Sequence, residues 1–235
     1  MPIEYPKSMG SKNKLKRFKE NETLPNVIQP TRESLVKGSF EHIGHWKEYF
    51  ANDNPIIIEL GCGKGEYTVA LARQNPDSNY IGIDIKGARF WRGAKTAHEE
   101  QLSNVVFIRT QIELIEQVFA HDEVSEIWLT FPDPQLKFKR TKHRLTNPDF
   151  LLKYQRILDS KGVVHLKTDS AFLHGYTLGV LGGLGIRPQM AHHDVYKYVH
   201  APLEVVSIQT FYEQQYLGQQ IPITYLKFSY EKYLR

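Results

Sequence analysis

Apolar and polar positions in the middle of the chain alternate between two kinds of segment. Short apolar runs bounded by turn residues predict buried strands at Pro55 to Cys62 (PIIIELGC), Asn79 to Ile85 (NYIGIDI), Asn104 to Arg109 (NVVFIR), Glu126 to Phe131 (EIWLTF) and Gly162 to Asp169 (GVVHLKTD). Between them, helical patterning covers Tyr67 to Gln74, Ala88 to Gln101, Ile112 to Phe119 and Pro148 to Leu158. Asn147 caps the last of these, with Pro148 suited to the first helical position. Beyond Pro202 the pattern becomes two extended runs rich in β-branched and aromatic residues, EVVSIQTFYE and IPITYLKFSY, joined through Gly218.

Strands alternating with helices predict an α/β fold with a mostly parallel, doubly wound sheet, to which the last two runs add an antiparallel strand pair at one edge. Ligands of such sheets bind at the carboxyl ends of the strands. The 235 residues, 41% of them hydrophobic, suit one core domain, expected over residues 31–235.

The formal charge of +4 is too small to imply a nucleic-acid partner by itself, but its distribution changes the picture. Lys7, Lys12, Lys14, Lys16, Arg17 and Lys19 form an acid-free basic stretch, and Pro2, Pro6, Ser8, Gly10 and Ser11 oppose regular structure there. Residues 1–30 are therefore expected to be a flexible basic arm. No apolar run is long enough to span a membrane and no signal-peptide core is present, so a cytoplasmic protein without a membrane partner is expected. The single cysteine, Cys62, excludes an internal disulfide and a cysteine-built zinc site.

The first strand runs into Gly61, Gly63 and Gly65, whose missing side chains let a ligand approach backbone at the start of the next helix. The sixth position of a dinucleotide fingerprint is Glu66 instead of glycine, which favours a cationic cofactor without phosphates. Asp84, ending the second strand, is placed to accept ribose hydroxyls, and Glu59 adds negative charge before the glycines. Cys62 reads as a small residue packed in this turn.

At the end of the fourth strand, Pro132 and Pro134 restrict the backbone on both sides of Asp133. Lys137, Lys139, Arg140, Lys142, His143 and Arg144 follow within eight positions, and such a cluster fits a polyanion such as RNA. His143 has no partner spacing for a metal site, and no metal is expected.

These segments resemble the bacterial tRNA (guanine-N7-)-methyltransferases, through NKLKRF, ELGCGKG, IGIDIKGAR, the FPDP-plus-basic loop, LKTD and the C-terminal TFYE. The resemblance implies a Rossmann-like class I methyltransferase fold, S-adenosyl-L-methionine as methyl donor, and methylation of guanine N7 in the tRNA variable loop, at guanine 46 in tRNA numbering. It places donor contacts on Glu59, Gly61, Gly63, Asp84, Gln111 and Asp133, with Asp133 also catalytic. Substrate contacts fall on Lys137, Asp169, Thr210, Phe211, Tyr212 and Glu213, and RNA contacts on Lys139, Arg140, Thr141, Lys142, His143 and Arg144. Gln111 stands where the family carries an acid or asparagine, and Gln135 where it carries tryptophan. An RNA methyltransferase acting on another atom, a non-catalytic RNA-binding module and a nicotinamide oxidoreductase are the rival readings, and the protein is expected to be a monomer or homodimer.

Overall fold

The computed structural model describes residues 12–230. Nine α-helices are described: α1 (Lys12–Asn21), α2 (Arg32–Val36), α3 (Trp46–Phe50), α4 (Glu66–Gln74), α5 (Gly87–Glu99), α6 (Pro148–Ile157), α7 (Ala171–Gly183), α8 (Leu203–Ser207) and α9 (Phe211–Gly218). The strands are β1 (Val27–Ile28), β2 (Ile56–Leu60), β3 (Asn79–Ile83), β4 (Val105–Ile108), β5 (Val124–Thr130), β6 (Leu158–Thr168), β7 (Pro188–His192) and β8 (Thr224–Ser229). They form one sheet in the order β1-β4-β3-β2-β5-β6-β8-β7.

Strands β1 to β6 pair in parallel, whereas β8 runs antiparallel to both β6 and β7. Every residue of β2, β3 and β4 is buried, as expected of strands covered on both faces. From β2 the chain steps to β3 on one side and later to β5 on the other, so a crevice opens at the carboxyl end of β2. Register fixes what faces it: Glu59 lies beside Gly82 and Trp128, and Leu60 beside Ile83.

Two glycines close the layer beneath the crevice. A Cβ on Gly65 would stand 2.6 Å from the Phe107 ring, and Gly65 has φ +73°. Gly93, inside α5, lies against the same turn, where a Cβ would be 2.8 Å from the Lys64 carbonyl oxygen. The turn and α5 thus pack backbone to backbone.

The cap at Asn147 is present, its Oδ1 accepting from Phe150 N at 2.9 Å. Three expectations are corrected. The segment Ile112–Gln117 is a 3-10 helix rather than an α-helix. Glu204 to Glu213 is not a strand: α8 and α9 occupy it, and Pro188–His192 supplies the first strand of the C-terminal pair. Thr210 decides the matter locally, because its hydroxyl caps α9 by accepting from Glu213 N at 3.3 Å. Third, the described part of the basic arm belongs to the fold. Asn21 Nδ2 donates to the Gly87 carbonyl at 2.9 Å, the Arg17 guanidinium lies 4.8 Å from the Trp91 ring centre, and β1 pairs with β4. Lys7 and the proline-rich start lie outside the described residues.

Candidate active site

A cleft of about 560 Å³ occupies the crevice, lined from several strand ends by Glu59, Gly61, Gly63, Asp84 and Asp133, and from α9 by Tyr212, among others. Gly61, Gly63 and Gly65 all have positive φ, which curls the loop away from the space above it. Around a Cβ placed on Gly61 the nearest atoms stand 4.0 Å away, so the cradle is open.

Asp84 is held by this loop on one side and by its own following turn on the other. Its Oδ2 accepts from Gly63 N at 3.1 Å and its Oδ1 from Lys86 N at 2.8 Å. Glu59 lies deeper, buried, and both of its oxygens accept hydroxyl hydrogen bonds, from Thr68 and Thr130. Burial pushes its carboxyl up to about 7, an effect that the two hydroxyls oppose and the nearby Asp84 charge reinforces. Between the ordinary value of 4.5 and about 7, the folded protein holds a proton that the unfolded chain has released. Stability from this group therefore falls as pH rises through that window.

Asp133 is exposed at the cleft, with its Oδ1 accepting from Gln135 N at 2.9 Å. The prolines are only part of what shapes this turn. Phe131 (φ +49°) and Gln135 (φ +47°) are both in the left-handed region, which costs a non-glycine residue about 1–2 kcal/mol. Phe131 N is anchored to the Lys167 carbonyl at 2.8 Å, so β6 supports the strained arch.

Glu66, which set the loop apart from a dinucleotide fingerprint, accepts from Phe211 N at 2.9 Å. Lys64 reinforces the join, with its ammonium 4.4 Å from the Phe211 ring centre and 5.5 Å from that of Tyr212. Sequence reasoning missed both contacts, because their partners are far apart in the chain, 145 residues for Glu66 and Phe211.

Other expected site residues are distributed less simply. Thr210 and Tyr212 line the cleft together with His143, whereas Lys137, Lys139, Arg140 and Lys142 are exposed on the loop beside it. Thr141 is partly buried, and its hydroxyl donates to the Phe138 carbonyl at 2.7 Å. Asp169 follows β6 and is partly buried, which raises its carboxyl above the ordinary range. Gln111 lines a neighbouring cavity with Arg32 and Arg109, and that cavity shares Ile85 with the cleft.

Two residues face inward, against expectation. Glu213 is fully buried and pairs with the equally buried Lys167, at 2.7 Å between Nζ and Oε1. Tyr196 OH donates to the same carboxylate at 2.7 Å, and Lys167 also donates to the Ile208 carbonyl at 2.9 Å. Arg144, only 5% exposed, leaves the basic face. Its guanidinium donates to the Gln135 carbonyl at 3.1 Å and lies 4.4 Å from the Tyr176 ring centre. Arg144 therefore braces the loop that carries the other cations.

A family model described as "Putative methyltransferase" matches residues 53–226. A tRNA (guanine-N(7)-)-methyltransferase of Christiangramia forsetii is 68% identical over 94% of this chain and 99% of that protein. The chain belongs to the tRNA (guanine-N(7)-)-methyltransferase family. Another member of this tRNA (guanine-N(7)-)-methyltransferase family, from Bacteroides fragilis, is 46% identical over 92% of this chain and 85% of that protein. Among solved structures, the 16S rRNA methyltransferase KamB is similar in fold, with a TM-score of 0.59, 13% identity, and coverage of 79% of this chain and 92% of that one.

Proposed function

We propose that this protein transfers a methyl group from S-adenosyl-L-methionine to N7 of guanine in tRNA, at guanine 46 of the variable loop, in the cytoplasm. The observation that carries the reading is the placement of Asp133 on a strained arch, between the glycine cradle and a run of exposed cations.

The cleft fits the donor by its chemistry. Glu59, Asp84 and Asp133 present carboxyl groups to one open cradle of glycines, which suits a cationic, phosphate-free nucleoside better than a pyrophosphate. Asp84 would hold the ribose hydroxyls, and Ile85 and Ile112 offer apolar surface at the same cleft. The donor supplies an electrophilic methyl group on a sulfonium.

Guanine N7 carries an in-plane lone pair, so no residue has to remove a proton before attack. What the protein must provide is alignment, with the reacting atoms brought to about 3–3.5 Å. As the purine gains positive charge, the Asp133 carboxylate stabilises it and can accept hydrogen bonds from the N1 and amino hydrogens of the base. Lys137, Lys139, Arg140, Lys142 and His143 are exposed and hold phosphates without reading sequence. N7 lies in the deep groove of helical RNA, so the target base must be presented from an unpaired or splayed loop.

Incubating the protein with methyl-labelled S-adenosylmethionine and unmodified tRNA transcripts, followed by nucleoside analysis, tests the reading. Label in 7-methylguanosine at the variable loop is expected. Label on another nucleoside would overturn the assigned atom, and tight tRNA binding without label would favour a non-catalytic module.

Two expected outcomes follow from single side chains. Affinity for S-adenosylmethionine, measured calorimetrically, should rise several-fold from pH 6 to pH 8 as Glu59 ionises, and Glu59→Gln should flatten that rise. Lys139→Ala should weaken tRNA binding regardless of sequence. It should also reduce the steepness of log K against log salt by about 0.7–0.9, the contribution of one phosphate contact.

A further inference from the structure

The basic loop carries an aromatic residue that has no part in the proposed methyl transfer. Phe138 is 92% exposed, and Leu136 beside it is 66% exposed. A single exposed apolar side chain is ordinary on a protein surface. Three features set Phe138 apart.

First, exposed cations surround it in sequence: Lys137 precedes it, and Lys139 and Arg140 follow. Second, its backbone is fixed. The 3-10 helix Phe138–His143 begins at this residue, Thr141 Oγ1 donates to its carbonyl at 2.7 Å, and Arg140 N donates to the Lys137 carbonyl at 2.8 Å. The buried Arg144 ties Gln135 from beneath, and Asn147 Nδ2 donates to the Lys142 carbonyl at 2.7 Å. Third, residues on both sides of Phe138, Gln135 and His143, line the cleft itself. An aromatic ring is thus held in solvent on a braced loop at the cleft mouth, between groups that attract phosphate.

We propose that Phe138 is a stacking platform for an unpaired base of the bound tRNA, next to the guanine that enters the cleft. The proposal rests on the tRNA reading above and deepens it. Every base has a π-face, so an aromatic ring binds unpaired nucleotides whatever their identity, while the neighbouring cations hold the phosphates on each side. A base stacked there would be fixed relative to the target and would help to keep the loop splayed. A second copy of this chain is the less suitable occupant, because two such loops placed face to face would bring like charges together.

The experiment compares wild type with Phe138→Ala, Phe138→Leu and Phe138→Trp in binding unmodified tRNA transcripts, in methylation kinetics and in S-adenosylmethionine affinity. Phe138→Ala and Phe138→Leu should weaken tRNA binding by roughly 5- to 100-fold, the range of one lost base stack. The methyl donor should bind as before. Loss of stacking should leave the slope of log K against log salt unchanged, which separates it from loss of a phosphate contact. Phe138→Trp should retain affinity, and its emission should be quenched when tRNA binds.

Wild-type affinity in both Phe138→Ala and Phe138→Leu would overturn the proposal. So would a sedimentation change in Phe138→Ala with unchanged tRNA affinity, which would assign the ring to a protein contact. Wild-type protein that binds tRNA without methylating it would overturn the reaction but leave this comparison intact. Failure of the wild type to bind tRNA at all would overturn both.

Discussion

Replacing Asp133 with asparagine is expected to lower kcat/KM for tRNA by about 10²- to 10³-fold, the usual cost of losing one preorganised electrostatic contact to the transition state. Asparagine keeps the shape and can still accept from Gln135 N, so the arch should survive. What it removes is the negative charge that, in the proposed reaction, faces a base becoming cationic. Single-turnover methylation at saturating tRNA isolates this step, and the loss should appear in the rate rather than in tRNA affinity. Asp133→Glu should also be impaired, because Pro132 and Pro134 with the left-handed Phe131 and Gln135 fix where the side chain starts. Near-normal turnover in Asp133→Ala would remove Asp133 from the chemistry.

The second large effect concerns stability. Glu213→Ala leaves the Lys167 ammonium buried without its carboxylate, and breaking such a pair costs about 3–5 kcal/mol. Burial already pushes the Lys167 ammonium below its ordinary value, and Glu213 is what opposes that shift. The deficit of the variant should therefore shrink as pH rises, because the orphaned lysine can shed its proton. Replacing both residues with apolar ones, Lys167→Met with Glu213→Leu, should recover most of the loss. Denaturant unfolding of the three proteins measures the differences. A loss under about 1 kcal/mol in Glu213→Ala would mean that water reaches the pair.

The parallel core was legible because Ile56–Leu60, Asn79–Ile83 and Val105–Ile108 are short apolar runs buried on both faces, with glycines at the first turn. The C-terminal region was not. Val205, Val206 and Ile208 imitate a strand, while the cap signature Thr210 to Glu213 signals a helix, and here local capping outweighed β propensity. Helix α7 was hidden by its glycines at 175, 179, 182 and 183.

At the site, the acids at strand ends were readable because topology alone brings strand ends together. Side-chain direction was not. Nothing in the run from Lys137 to Arg144 distinguishes the one guanidinium that turns inward, and TFYE does not reveal that its acid is buried under its own helix.

The contact between Glu66 and Phe211 N bears on the order of events. The wall that would receive the methyl donor and the segment leading to the acceptor side meet through one carboxylate, with Lys64 lying over the same aromatic pair. A loop that settled around one ligand would hence draw in the boundary of the other's compartment. On the proposed reaction the two substrates would then not be independent tenants of the cleft: filling either half would change how much freedom the other has left to lose on arrival.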